Sequence, residues 1–203
     1  MSAYMTGVKM NNDVIAMSTD TQALTAAGAP YINGADSTCP ASGNGTPVAT
    51  LLELAKAAGR GTGVVTTTRV THATPAATYS HVCHRDGENT IVAQLAVGGT
   101  GYNTALGADG VDVVLGGGWQ HFLPKGAAAG SSRSDARDLV AEMKAKGYGC
   151  GLGRPLGRRR QHRSACGRRR YAGLARHATG RRVEERLTCR EGWRVVAPGA
   201  LVR

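Results

Sequence analysis

A chain of 203 residues is long enough for one domain with a buried core. Its formal charge of +11 is unevenly spread: residues 1–150 hold 10 Lys and Arg against 11 Asp and Glu, whereas residues 151–203 hold 15 Arg, no Lys and 3 Glu. The basic excess therefore confines any nucleic-acid role to the last quarter, and the lack of an apolar run near roughly 20 residues excludes a membrane-spanning helix.

In chain order, residues 3–10 start as a helix that Gly7 ends, and residues 13–17 (DVIAM) read as a short strand. Residues 18–46 are rich in Thr, Ser, Gly, Asn and Pro and read as loop. A helix is predicted over 46–59, with Thr46 as its cap, Pro47 in its first turn and Gly59 at its end. The β-branched run at 61–70 predicts a strand. Pro75 opens a predicted helix over 75–84, and residues 90–97 read as another. Residues 110–118 are a short apolar strand running into a glycine turn. Residues 134–147 are a predicted helix, with Ser134 as cap, lysines in the last turn and Gly147 as terminator. Helices alternating with buried strands give an α/β fold with a mostly parallel sheet.

Chemistry concentrates in residues 66–86, TTTRVTHATPAATYSHVCHRD. The run follows a strand, where α/β proteins place functional loops. It supplies an imidazole (His72), a hydroxyl (Thr74) and, beyond a helix, a guanidinium (Arg85). A hydroxyl beside a carboxylate suits Mg²⁺, and a planar guanidinium takes two phosphate oxygens at once. On residues alone this is either an oxyanion site or an ordinary strand–loop–helix. The glycines at 59, 61 and 63 precede a strand, the wrong order for a dinucleotide loop, and Gly116–Gly118 reads as a turn. His81, Cys83 and His84 fall on different faces of the predicted helix, which argues against a zinc cluster. The five cysteines have no C-x-x-C spacing, and Cys39 with Cys83 is one pairing open to an exported protein.

The run 66–86 resembles the alkaline phosphatase family, as do AYMTGVK (3–9), TLLELAKAAGRGTGVV (50–65) and GVDVVLGGGWQHFLP (110–124), in similar order and spacing. Together these stretches reach over most of residues 2–148. The resemblance implies part of a three-layer α/β sandwich and the hydrolysis of phosphate monoesters through a phosphoserine, with Zn²⁺ and Mg²⁺ as cofactors. It further implies a homodimer working in the periplasm or outside the cell. By position, Thr74 matches the family's hydroxyl ligand to Mg²⁺, His72 a place beside that third metal site, and Arg85 the arginine that holds the substrate phosphate.

The chain departs from the family pattern in what surrounds these residues. The nucleophile lies in an Asp-Ser-Ala motif a few residues before the stretch matched by 3–9, whereas Ser2 aligns with the Thr directly before Ala-Tyr. Residues 125–203 hold no Asp-His and no Asp-x-x-x-His, so the zinc ligands are missing and little activity is expected. Met1 leads straight into a polar stretch with no signal peptide, so the start of an exported form is expected upstream.

A domain boundary is expected at 149/150, where composition changes. Residues 150–203 carry two Arg triplets, few aliphatics and no periodicity, and read as an irregular tail outside the domain. Alanine codons of GC-rich DNA, read one base out of phase, become arginine codons, which points to a frameshift between about Gly147 and Leu152. The alternative function is nucleic-acid binding through this tail, although it lacks the interleaved aromatics that stack on single-stranded bases.

Overall fold

The computed structural model describes residues 1–153 and 163–168. Five helices and four strands follow one another: α1 (Ser2–Thr6), α2 (Leu51–Ala57), β1 (Gly63–Arg69), α3 (Ala73–Ala76), α4 (Glu88–Ala93), β2 (Val113–Gly117), α5 (Leu139–Ala145), β3 (Tyr148–Gly153) and β4 (Arg163–Arg168). Single 3₁₀ turns lie at Thr104–Leu106 and Trp119–His121.

The strands form one sheet in the order β1-β2-β4-β3. Strands β1 and β2 are parallel, with Val64 opposite Val114, and the crossover between them carries α3 and α4. This is the α/β arrangement expected from the sequence. Beyond β2 the pairing becomes antiparallel, β2 with β4 and β4 with β3. The irregularity expected of 150–203 therefore does not hold at 150–153 and 163–168, because a strand ladder asks only for backbone N–H and C=O groups, which composition does not reveal. The rest of that tail, and the frameshift reading with it, lies outside the described residues.

The core gathers around the segment from Ile91 to Val97, every residue of which is buried. Val64, Val114, Leu106, Leu139, Met143 and Tyr148 pack into the same cluster. Val64 is buried while its neighbour Val65 is 70% exposed, so β1 covers only one of its faces at this point among the described residues.

Several predicted elements take a different form. Residues 13–17 make isolated bridges instead of a strand, Ile15 with Val82 and Met17 with Pro47. Pro47 is thus extended, and helix α2 starts later, capped by Thr50 and not Thr46. The Thr50 hydroxyl accepts from the Glu53 amide and the Glu53 carboxylate accepts from the Thr50 amide, a reciprocal capping box. The helix expected over 75–84 is only α3, because the chain beyond it turns and residues 81–85 pair with 13–16. Ser134 does not cap α5: its hydroxyl donates to Asp36, and Asp138 accepts from the Ala141 amide in the capping role.

Candidate functional site

His72 and Thr74 sit where β1 gives way to α3, at the carboxyl end of a parallel strand. His72 is the N-cap residue of α3 and half-buried, and Thr74 is exposed. The backbone beneath them is fixed from two sides. The Val70 amide donates to the Gly117 carbonyl at 3.0 Å, and the buried Tyr79 hydroxyl donates to the Val70 carbonyl at 2.8 Å.

Arg85 comes from another segment. Ile15 and Val82 exchange both backbone hydrogen bonds, at 2.9 and 3.0 Å, and the Arg85 amide donates to the Asp13 carbonyl at 2.8 Å. A disulfide between Cys39 and Cys83 fastens the same segment to the Gly-rich loop. Residues 81–85 therefore run alongside 13–16 through one antiparallel bridge and are not helical, which also changes the reason no zinc cluster forms there: Cys83 is oxidised and His81 is engaged by Glu53. Among the described residues the side chains of His72, Thr74 and Arg85 make no hydrogen bond or ion pair with one another or with other residues. They are three separately anchored polar groups.

The structure adds a group that sequence reading missed. Glu88, the first residue of α4, receives Arg69 Nε and Nη2 at 2.8 and 2.7 Å and the Thr71 hydroxyl at 2.5 Å, with His121 Nε2 3.1 Å away. Burial pushes its carboxyl pKa up, but His121, Arg69 and Thr71 outweigh that and hold it well below the usual carboxylate range. One carboxylate thus ties the end of β1 to the turn that follows β2. Arg69 and Glu88 stand 19 residues apart in no local motif, so only the fold reveals the pair.

Among the described residues no complete metal centre is present. Mg²⁺ takes six oxygen ligands and structural Zn²⁺ four N, S or O ligands. Among the described residues no group of three or more His, Cys, Asp and Glu side chains converges, and Thr74 offers a single hydroxyl with no carboxylate bonded to it. The residues present therefore do not fit Zn²⁺ or Mg²⁺ as a bound cofactor by themselves. No helix among the described residues is long and apolar enough to cross a membrane.

The chain matches the family model described as alkaline phosphatase over residues 1–151. The human tissue-nonspecific isozyme of alkaline phosphatase is 32% identical over 157 residues, covering 70% of this chain and 27% of the human one. The repressible alkaline phosphatase of Saccharomyces cerevisiae is 42% identical over 107 residues, covering 50% of this chain and 18% of its own. Among solved structures, Thermus thermophilus alkaline phosphatase is similar at a TM-score of 0.48 and 31% identity, covering 73% of this chain and 23% of that one. A variant of the alkaline phosphatase from the Antarctic bacterium TAB5, with Mg bound in its M3 site, has a TM-score of 0.47 at 24% identity, covering 71% of this chain and 30% of that one. The chain spans 27% or less of these two curated relatives. By the family model over about three quarters of its length, this chain belongs to the alkaline phosphatase family.

Proposed function

We propose that this chain supplies the phosphate-holding part of an enzyme that hydrolyses phosphate monoesters. In this reading Arg85 grips the substrate phosphate, Thr74 contributes a hydroxyl to Mg²⁺ and His72 stands beside that site. The observation that carries the proposal is the run 66–86, which delivers His72 and Thr74 at the carboxyl end of β1 and Arg85 on a segment braced against 13–16. A planar guanidinium is suited to two oxygens of one phosphate, and Arg85 has no partner among the described residues that would have to be displaced.

Residues 1–149 form the phosphatase portion in this reading, and 150–203 stand outside it. The nucleophile and the zinc ligands have no counterparts in the sequence. Zn²⁺ in such a reaction activates the nucleophile and clamps the reacting oxygens. The 203-residue chain alone is thus expected to be inactive. The longer enzyme is proposed to be a homodimer of the periplasm or the extracellular space. The nucleic-acid reading rests on the arginines of 151–203, most of which lie outside the described residues.

The test is hydrolysis of p-nitrophenyl phosphate at alkaline pH with Zn²⁺ and Mg²⁺ added. Release at the buffer rate is expected. Turnover well above buffer that persists through a second purification would show that the chain holds a nucleophile and metal ligands the sequence reading does not find.

A further inference from the structure

The segment that carries Arg85 ends in a histidine whose two ring nitrogens both face acceptors. His81 Nδ1 lies 2.7 Å from the Ala16 carbonyl, and Nε2 lies 2.6 Å from Glu53 Oε1. A carbonyl cannot donate. Glu53 is already occupied as an acceptor on both oxygens: Oε1 receives the Asn103 side-chain amide at 2.5 Å and Oε2 the Thr50 backbone amide at 2.6 Å. The Asn103 amide is oriented by its oxygen, which accepts from the Ala105 N–H. The N–H groups aimed at Glu53 hold it as a carboxylate, so both nitrogens of His81 carry protons and the ring is an imidazolium paired with it. The two side chains are only 10% and 4% exposed.

The Ala16 carbonyl is a convergence point. Ala16 is fully buried, has φ of 46°, and its carbonyl also receives the Val48 amide at 2.9 Å. Its own amide donates to the Ser2 hydroxyl at 3.3 Å. A non-glycine residue in the left-handed region is strained and persists where its surroundings over-determine it. From Ala16 the chain runs back through the Ile15–Val82 bridge to Asp13, whose carbonyl holds the Arg85 amide. His81 and Arg85 are thus the two ends of one short antiparallel ribbon.

We propose that His81 is a positioning residue: as an imidazolium it clamps Glu53 and the Ala16 carbonyl, and loss of one ring proton releases the ribbon that presents Arg85 to phosphate. The inference rests on the phosphate-binding reading of Arg85. When the ring loses a proton, one nitrogen becomes a lone pair facing a carbonyl or carboxylate oxygen, and that contact turns repulsive. Glu53, from α2, is the charged group in contact with the ring among the described residues. The 13–17 segment brings a carbonyl, and Gln94 and Asn103 bring neutral amides that bond the His81 backbone and Glu53. Burial alone lowers the His81 pKa, but the bonds to Glu53 and Ala16 and the Glu53 charge raise it above 6.5 overall. Release then comes at a higher pH than for an ordinary histidine.

The experiment uses the full chain labelled with ¹³C and ¹⁵N. The ring nitrogens of His81 are followed by NMR between about pH 6 and pH 9, a range that spans ordinary histidine titration. Sulfate is the probe, because it stays a dianion throughout that range. The 15 arginines of 151–203 also attract sulfate, so binding is read at the Arg85 Cζ resonance alone. The expected result is two protonated nitrogens at neutral pH and a sulfate affinity at Arg85 that drops by about fivefold or more as His81 deprotonates, a typical coupling between sites. In His81→Gln the affinity is low and no longer follows pH. Should that variant not fold, Glu53→Gln keeps the shape of the pair and is expected to return the His81 titration toward 6.5 and move the pH response with it. A ring nitrogen without a proton at neutral pH overturns the inference, as does sulfate affinity that stays constant through the His81 titration. An Arg85 resonance that ignores sulfate at every pH, with His81 still doubly protonated, instead removes the phosphate reading and the positioning role that depends on it.

Discussion

Glu88 is the residue on which the geometry of the His72 turn depends most directly. Its carboxylate, 15% exposed, answers Arg69 through two parallel N–H donors and Thr71 through a hydroxyl, and no other described side chain bonds the Arg69 guanidinium. Breaking a buried pair by removing one partner costs more than the pair contributes, because the other charge is left behind. Arg69 is 39% exposed and recovers part of that loss from water. Glu88→Ala is thus expected to lower stability by about 2–3 kcal/mol, and Glu88→Gln by less, since the amide oxygen still accepts one bond. Urea unfolding followed by circular dichroism checks this, and an unchanged midpoint for Glu88→Ala would mean that the cluster is a surface arrangement without energetic weight. Beside this cluster Gly116 makes room for the turn: a Cβ there would come within 2.7 Å of Thr66 Cγ2 and Val70 Cγ1. The glycine turn read from the sequence thus serves as a close approach between strands.

At the scale of elements, the sequence was most legible where local rules and tertiary contacts agree. Helix α1 ends at Gly7 with φ of 73°, and Gly59 and Gly147 follow α2 and α5 in the same left-handed region, as their positions suggested. The cap of α2 was readable and was misplaced: Thr50-x-x-Glu53 is a capping-box pattern, but Thr46-Pro47 offered a competing start. Thr50 does more than cap, since its hydroxyl also donates to the Thr78 carbonyl at 2.8 Å. Thr50→Ala is expected to cost about 1–2 kcal/mol, the usual loss for such a cap, and Thr50→Ser to restore most of it. Thermal unfolding of the two variants side by side tests whether the hydroxyl is responsible, and equal losses would shift the blame to packing of the methyl group. The break after α3 was not legible. Pro75 marks a helix start, but the chain turns at 77–79 and then bonds to 13–16, more than 60 residues away in sequence, a tie that no local window contains. For the same reason His72, Thr74 and Arg85 could be named as candidates from a contiguous motif, whereas Glu53–His81 and Glu88–Arg69–His121 join residues that no sequence window contains.

Taken whole, the molecule commits much of its chain to loops and relies on long-range ties to hold them. The Cys39–Cys83 disulfide spans 44 residues, and two carboxylates, the buried Glu53 and the half-buried Glu88, collect partners from distant segments. Such carboxylates make stability depend on pH with a sign that follows from their shifts. Burial raises the Glu53 pKa, but the bonds from His81, Asn103 and the Thr50 amide prevail and bring it from 4.5 down to about 2. Its contribution is therefore complete above 4.5 and lost as pH falls toward about 2, and Glu88 acts in the same sense. His81 has the opposite sign: raised above 6.5, it contributes fully below that value and loses its contribution as pH rises through the folded pKa. Stability is thus expected to be greatest between about 4.5 and about 6.5 and to fall on both sides. The acid limb attributable to Glu53 amounts to about 3 kcal/mol at most, from some 1.4 kcal/mol per pKa unit. A series of urea unfolding curves across pH measures it. In Glu53→Gln the acid limb should flatten, leaving the slope due to Glu88, and the alkaline fall should move toward the ordinary histidine range because His81 has lost its counter-charge. If the parent chain keeps the same urea midpoint from pH 5 down to about pH 2, the two carboxylates are not ionised partners in the folded state, and the clamp on the Arg85 segment loses its electrostatic basis.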